Sequence, residues 1–155
     1  MSQPFEIVPI ATAVAERVRA ERVDDHGNPV VPVVCRDGGH PCRHCLEDAV
    51  PGETMLLFSY SPVQTAGPYR EIGPIYVHER PCARYAAGRH IPAQLRRRLL
   101  ALRGYDARGD MVESDVVEGK DMDRLLDRLL ARSDVAFVHV RNARPGCFAC
   151  AIERR

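Results

Sequence analysis

No tryptophan occurs in the chain, and aromatic residues make up only 6% of it. A core built from this sequence must therefore be filled by aliphatic side chains. An excess charge of one sign is missing too: twenty-two Lys and Arg stand against twenty-one Asp and Glu, a formal net charge of +1. That balance argues against binding nucleic acid by counterion release, which needs several clustered cations. The local exception, Arg96-Arg97-Arg98, lies beside Leu95, Leu99 and Leu100 in a predicted helix and reads as a solvated face. Long apolar runs are absent: no stretch approaches the roughly eighteen uninterrupted residues of a membrane span. The start, Met1-Ser2-Gln3-Pro4-Phe5-Glu6, has no basic segment followed by an apolar one. The expectation is a cytoplasmic protein with neither membrane nor nucleic acid as partner, its oligomeric state left open.

What is present suffices for a core. The sequence has 155 residues, 45% of them hydrophobic and 28% charged, and folding at this size removes roughly 70% of the extended chain's surface from water. One globular domain over residues 1–155 is expected. Residues 5–10 read as a strand and 11–22 as a helix with Val14 and Val18 on its apolar face. Residues 30–36 read as a strand that Pro32 confines to a sheet edge. Residues 54–60 and 75–79 are further strands, separated by a loop rich in Pro and Gly. Pro92 opens a short helix through Leu99. Residues 100–105 and 111–117 flank a turn-rich segment as a hairpin. From Lys120 to Arg132, Met122, Leu125, Leu126, Leu129 and Leu130 recur at helical spacing, one stripe facing a core. Strands joined by hairpins with helices between them predict an α+β fold, a mainly antiparallel sheet with two or three helices packed on it.

The last hairpin, residues 135–141 and 147–153, carries the first functional reading. If the loop 142–146 closes at its ends, Arg141 pairs with Cys147, His139 with Ala149 and Phe137 with Ala151, and opposed side chains share a face. Val138, Val140, Phe148, Cys150 and Ile152 then form an apolar face. The opposite face sets Cys147, His139 and Arg141 beside small alanines, which resembles the floor of a site more than packing. There Cys147 is a candidate nucleophile, His139 its catalytic neighbour, and Arg141 a planar fork for an anionic small molecule. Arg43, His78 and Tyr69 are further candidate ligand-binding residues. His78 shares a strand face with Tyr76, and Tyr69 sits in a loop where it can stack on a ligand or anchor packing.

The six cysteines carry the second reading. Cys42/Cys45 and Cys147/Cys150 form two C-x-x-C pairs, and in a reducing compartment such pairs point to metal or redox chemistry. A zinc site of all four thiolates requires the fold to unite two distant pairs, and Cys147 and Cys150 point to opposite faces of a strand. A mixed site of Cys42 and Cys147 with one or two of His40, His44, His78 or His139 is a further arrangement suited to zinc. A thioredoxin-like pair is disfavoured, because Cys42-Arg43-His44-Cys45 runs into Pro51-Gly52 with little room for a helix. Cys35 and Cys82 read as ordinary buried or half-buried thiols. Three functions stay open: an enzyme acting on an anionic small molecule, a non-enzymatic domain clamped by zinc that binds a partner protein, and a ligand-sensing module without chemistry.

The blocks Pro41-Cys42-Arg43-His44-Cys45-Leu46, Pro51-Gly52-Glu53, Gly67-Pro68-Tyr69-Arg70, Gly73-Pro74-Ile75-Tyr76-Val77-His78 and His139-Val140-Arg141-Asn142-Ala143-Arg144-Pro145-Gly146-Cys147 resemble a bacterial family catalogued as domain of unknown function 1203. The resemblance covers most of the chain. It implies no activity, substrate or cofactor, and it gives Cys42 and Cys147 more weight than Cys45 and Cys150.

Overall fold

A computed structural model describes residues 4–155; the first three residues of the N-terminal segment considered above lie outside them. Two antiparallel sheets organise the chain. The larger has strand order β1-β8-β7-β5-β6 and the smaller β2-β3-β4. In chain order the elements are β1 (Phe5–Val8), α1 (Thr12–Glu21), β2 (Val31–Val34), β3 (Thr54–Tyr60), β4 (Gly73–His78), α2 (Ala93–Arg96), β5 (Leu99–Tyr105), β6 (Met111–Glu118), α3 (Met122–Leu130), β7 (Phe137–Asn142) and β8 (Phe148–Arg154). The fold is α+β and mainly sheet, as the pattern of hairpins and amphipathic helices requires. No helix among the described residues is long and apolar enough to cross a membrane.

Each sheet has its own hydrophobic cluster. Around the larger, the α3 stripe of Met122, Leu125, Leu126, Leu129 and Leu130 is buried with Leu100, Leu102, Val138, Val140 and Ile152. Burial of such side chains contributes roughly 1.5–3 kcal/mol each before conformational entropy is subtracted. Around the smaller, Ala15 and Val18 of α1 pack with Met55, Leu56, Phe58, Ile75 and Val77. Pro32 lies on β2, an edge strand paired with β3 alone.

Two expectations need correction. The Arg96–Arg98 run is not a continuous helical face, because α2 ends after a single turn and the chain enters β5 at Leu99. Arg96 pairs with Asp123 at 2.7 Å, while Arg97 and Arg98 both reach Asp48, at 3.2 and 2.9 Å. These arginines tie the turn to its neighbours. The second correction concerns the last hairpin. Asn142 and Cys147 close its loop, with the Cys147 carbonyl accepting from the Asn142 amide at 3.0 Å and Gly146 in the left-handed region at φ 79°. Arg141 then pairs with Phe148, and after a bulge Val140 pairs with Cys150, His139 with Ala151 and Phe137 with Glu153. The bulge turns Phe148 onto the face of His139 and puts Ala149 with Cys150 in the core. Cys147 thus falls in the loop, beyond the predicted row of side chains.

Candidate metal centre

The segment between β2 and β3 holds the first C-x-x-C in irregular backbone, as its glycines and prolines suggest. Hydrogen bonds pin it on several sides. Cys42 bridges to Tyr76 of β4, the Arg43 amide donates to the Tyr76 carbonyl at 3.0 Å, and the Arg43 carbonyl accepts from Ile10 at 3.1 Å. The Leu46 amide closes a tight turn onto the Cys42 carbonyl at 3.1 Å, with Leu46 itself at φ 57°, a left-handed conformation that costs a branched residue energy. Leu46 is held there by burial in the larger cluster, while Cys42 is buried in the smaller.

That turn brings the two sulfurs of the pair to one place, and β4 and the segment after it supply the rest. Cys42, Cys45, His78 and Cys82 offer three sulfurs and one ring nitrogen, all within 4.8 Å of one another. The Cys42 and Cys82 sulfurs are 3.9 Å apart, and His78 Nδ1 is 3.5 Å from the Cys45 sulfur. Cys42 and His78 are buried; Cys45 and Cys82 are half-buried.

Groups around the cluster face its sulfurs as donors. The Cys45 amide points at the Cys42 sulfur and the Glu47 amide at the Cys45 sulfur. Cys82 accepts from Arg19 Nη2 at 3.2 Å and faces His44 Nδ1 at 3.2 Å, while His44 Nε2 meets the Thr12 hydroxyl at 2.9 Å. Burial, followed by the cations Arg19 and Arg84, pushes His44 below the usual imidazole value. A neutral His44 fits that chain, donating to sulfur and accepting from Thr12. On the far side of His78, Nε2 lies 3.6 Å from the Glu53 carboxylate. The Val50 amide and the Arg80 guanidinium hold that carboxylate well below its ordinary value.

Cys42 shares hydrogen bonds with both of the other thiols. Hydrogen bonds from Cys45 and then Cys82 drive the Cys42 thiol far down, and the same bonds, with burial, drive Cys45 and Cys82 up. One negative charge is accommodated easily among the three sulfurs; full ionisation calls for a cation at their centre.

The cluster replaces the predicted four-thiolate set. It keeps Cys42 and Cys45, but Cys150 is buried in the larger core, where burial raises its thiol to about 12. Cys147 lies against Arg43 Nη2 at 2.9 Å and Asn142 Nδ2 at 3.4 Å instead. Of the histidines weighed for a mixed site, His78 is in the cluster and His44 touches it. His40 stacks on Tyr76 at 4.8 Å. Cys82, expected to be an ordinary thiol, completes the set. It follows His78 by four residues, just beyond the end of β4, and no sequence pattern there singles it out.

The remaining candidates separate. His139 has three aromatic neighbours, Tyr105, Phe137 and Phe148, each with its ring centroid at 5.1 Å. Burial, then Arg141 and Arg103, lowers it to about 3. Arg141, buried, pairs with Glu71 and donates to the Gly146 carbonyl at 3.0 Å. Tyr69 meets Tyr105 edge-on at 6.4 Å, the geometry of a packing anchor. Arg43 is the guanidinium that reaches Cys147, while His139 and Cys147 line different cavities.

No curated protein and no solved structure matches the chain. The model of the family described as Protein of unknown function (DUF1203) matches residues 39–154, a span that includes all four cluster residues as well as Cys147, and the chain belongs to that family.

Proposed function

We propose that this chain is a zinc-binding domain in which Cys42, Cys45, His78 and Cys82 hold one structural ion. The spacing of the donor atoms carries the reading. Zinc at about 2.3 Å from sulfur and about 2.0 Å from nitrogen sets tetrahedral edges of roughly 3.8 Å between sulfurs and roughly 3.5 Å between sulfur and nitrogen. The Cys42–Cys82 and Cys45–His78 distances are 3.9 and 3.5 Å, and all four donor atoms lie within 4.8 Å of one another. Three thiolates and one imidazole form a donor set suited to zinc, and four protein ligands leave no open position for substrate. His78 would bind through Nδ1 and turn its Nε2–H toward Glu53, the carboxylate–histidine arrangement common around zinc. Three thiolates and a divalent ion carry one excess negative charge, which Arg19 on Cys82 is placed to balance. A cytoplasmic setting belongs to this reading, since reducing conditions keep such thiols available.

Elemental analysis of protein purified without chelator tests the proposal. The expected result is close to one zinc per chain, with loss of thermal stability on chelation and a Cys82→Ser variant that retains little metal. Folded, metal-free protein whose unfolding midpoint does not move on adding zinc would overturn it.

A further inference from the structure

Beyond the metal centre, we propose that Cys147 is the nucleophile of a second site, which takes small electrophiles bearing a carboxylate or phosphate. Cys147 is half-buried at the wall of an open cavity of about 360 Å³ that Arg43, Arg97, Arg98, Arg144 and Asn142 also line. The cavity has four guanidinium groups around it, and Asp48 is the only carboxylate paired with any of them among the described residues. Arg43 is 1% exposed and makes no ion pair among the described residues. Its Nε donates to the Phe148 carbonyl at 2.7 Å, its Nη1 to the Pro41 carbonyl at 2.6 Å, and its Nη2 to the Cys147 sulfur at 2.9 Å. A buried cation is costly without a partner of opposite polarity, and the Cys147 sulfur is the group that its Nη2 reaches.

Two buried polar atoms beside this cavity are unpartnered among the described residues. Asn142 is 6% exposed; its Nδ2 faces the Cys147 sulfur, but its Oδ1 is sealed from solvent and has no hydrogen-bond partner among the described residues. Arg141, 5% exposed, lines a smaller adjoining hollow that Cys147 also borders, and its Nε is likewise unpartnered. Unsatisfied polar atoms are rare in protein interiors, and these two, a donor and an acceptor on residues lining the hollows that Cys147 borders, mark a place for a ligand that carries both an acceptor and a donor, as a phosphate monoester does. Arg144 is exposed and forms no ion pair among the described residues, which leaves it free to meet an incoming anion.

The chemistry is a displacement. The Cys147 thiolate attacks an electrophilic carbon, a sulfur–carbon bond forms as the bond from that carbon to the leaving group breaks, and the leaving group departs with the electron pair. No oxidant or reductant enters. The arginines hold the anionic end of the molecule and so raise its local concentration at sulfur.

The test compares iodoacetate, which is anionic, with iodoacetamide, which is neutral, on the full-length zinc-loaded protein, with peptide mass spectrometry reading the label at Cys147. Simple thiols such as glutathione favour the neutral reagent. At Cys147 the ratio of the iodoacetate to the iodoacetamide rate should exceed that of glutathione by about 5- to 10-fold, the size of one guanidinium–carboxylate contact. Inorganic phosphate should slow the iodoacetate reaction selectively, and this arm needs no variant. Replacing Arg144 and Arg97 together by Ala should return the ratio toward that of glutathione. A ratio equal to that of glutathione, or no effect of phosphate, would overturn the inference. Zinc content is measured on the same samples. Zinc present without selectivity sinks this site alone, and selectivity in folded, zinc-free protein sinks the metal reading alone.

Discussion

Glu53 shows how much a single residue outside the cluster can matter. Its carboxylate accepts from the Val50 amide at 2.8 Å and from Arg80 at 2.7 Å, and it is thereby aimed at His78 Nε2. A carboxylate there favours the tautomer with hydrogen on Nε2, which would leave the Nδ1 lone pair to the proposed ion. Glu53→Gln keeps the shape and removes the charge. Zinc affinity should fall by about 10-fold or more, read by competition against a chromophoric chelator; an unchanged affinity would mean that Glu53 only anchors its own turn. Sequence alone reached three of the four cluster residues. The Cys42-Arg43-His44-Cys45 spacing within glycine- and proline-rich backbone announced metal or redox chemistry, and His78 stood out as a histidine on a strand. Cys82 did not, because the segment after His78 has no periodicity and nothing in it tells which way the chain turns.

At the level of elements, strong patterns were legible and competing patterns were not. The α3 stripe and the edge character of the Pro32 strand follow from periodicity and from a missing amide hydrogen, each of which allows one solution. The last hairpin allows two. Phe148-Ala149-Cys150-Ala151-Ile152 alternates in either register, and the bulge that chooses between them depends on Ala149 being small enough to enter the core beside Cys150. That one-residue irregularity moved Cys147 from the His139 face to the Arg43 side. The junction of α2, β5 and α3 depends on a close approach of another kind. Gly119 donates to the Arg98 carbonyl at 2.7 Å, and a Cβ at that position would lie 1.9 Å from the Leu95 carbonyl oxygen, within the α2 turn. Backbone cannot yield as a flexible side chain can. Gly119→Ala should therefore destabilise the fold by about 1–3 kcal/mol, seen as a lower urea midpoint at unchanged slope. A midpoint equal to that of the native protein would show that the turn relaxes freely.

Across the whole molecule, β8 joins the two halves: Ile152 and Cys150 belong to the larger cluster and Phe148 to the smaller. His139 sits at this seam. Phe148 of β8 packs edge-on to its imidazole, Tyr105 comes from β5 and Phe137 from its own strand. The charged groups bearing on it are Arg141 of the same strand, itself paired with Glu71, and Arg103 of β5, also paired with Glu71. Burial and both cations oppose protonation, so the folded protein protonates His139 only near pH 3, against an ordinary value of 6.5. Between those limits the unfolded chain binds a proton that the folded chain refuses, and stability rises with pH. The contribution is fully present above about pH 6.5 and is lost as the pH falls toward 3, reaching roughly 4–5 kcal/mol at about 1.4 kcal/mol per unit. Over the narrower interval from pH 7 to pH 5 the expected loss from this one residue is about 2 kcal/mol. His139→Phe fills the aromatic box without a titrating group, so its stability should fall by about 2 kcal/mol less than that of the native protein over the same interval. Urea unfolding of both proteins at the two pH values, in saturating zinc so that metal release cancels, measures the difference directly. Parallel losses would mean that His139 takes up its proton in the folded state at ordinary pH, and that the seam between the two sheets is open to water.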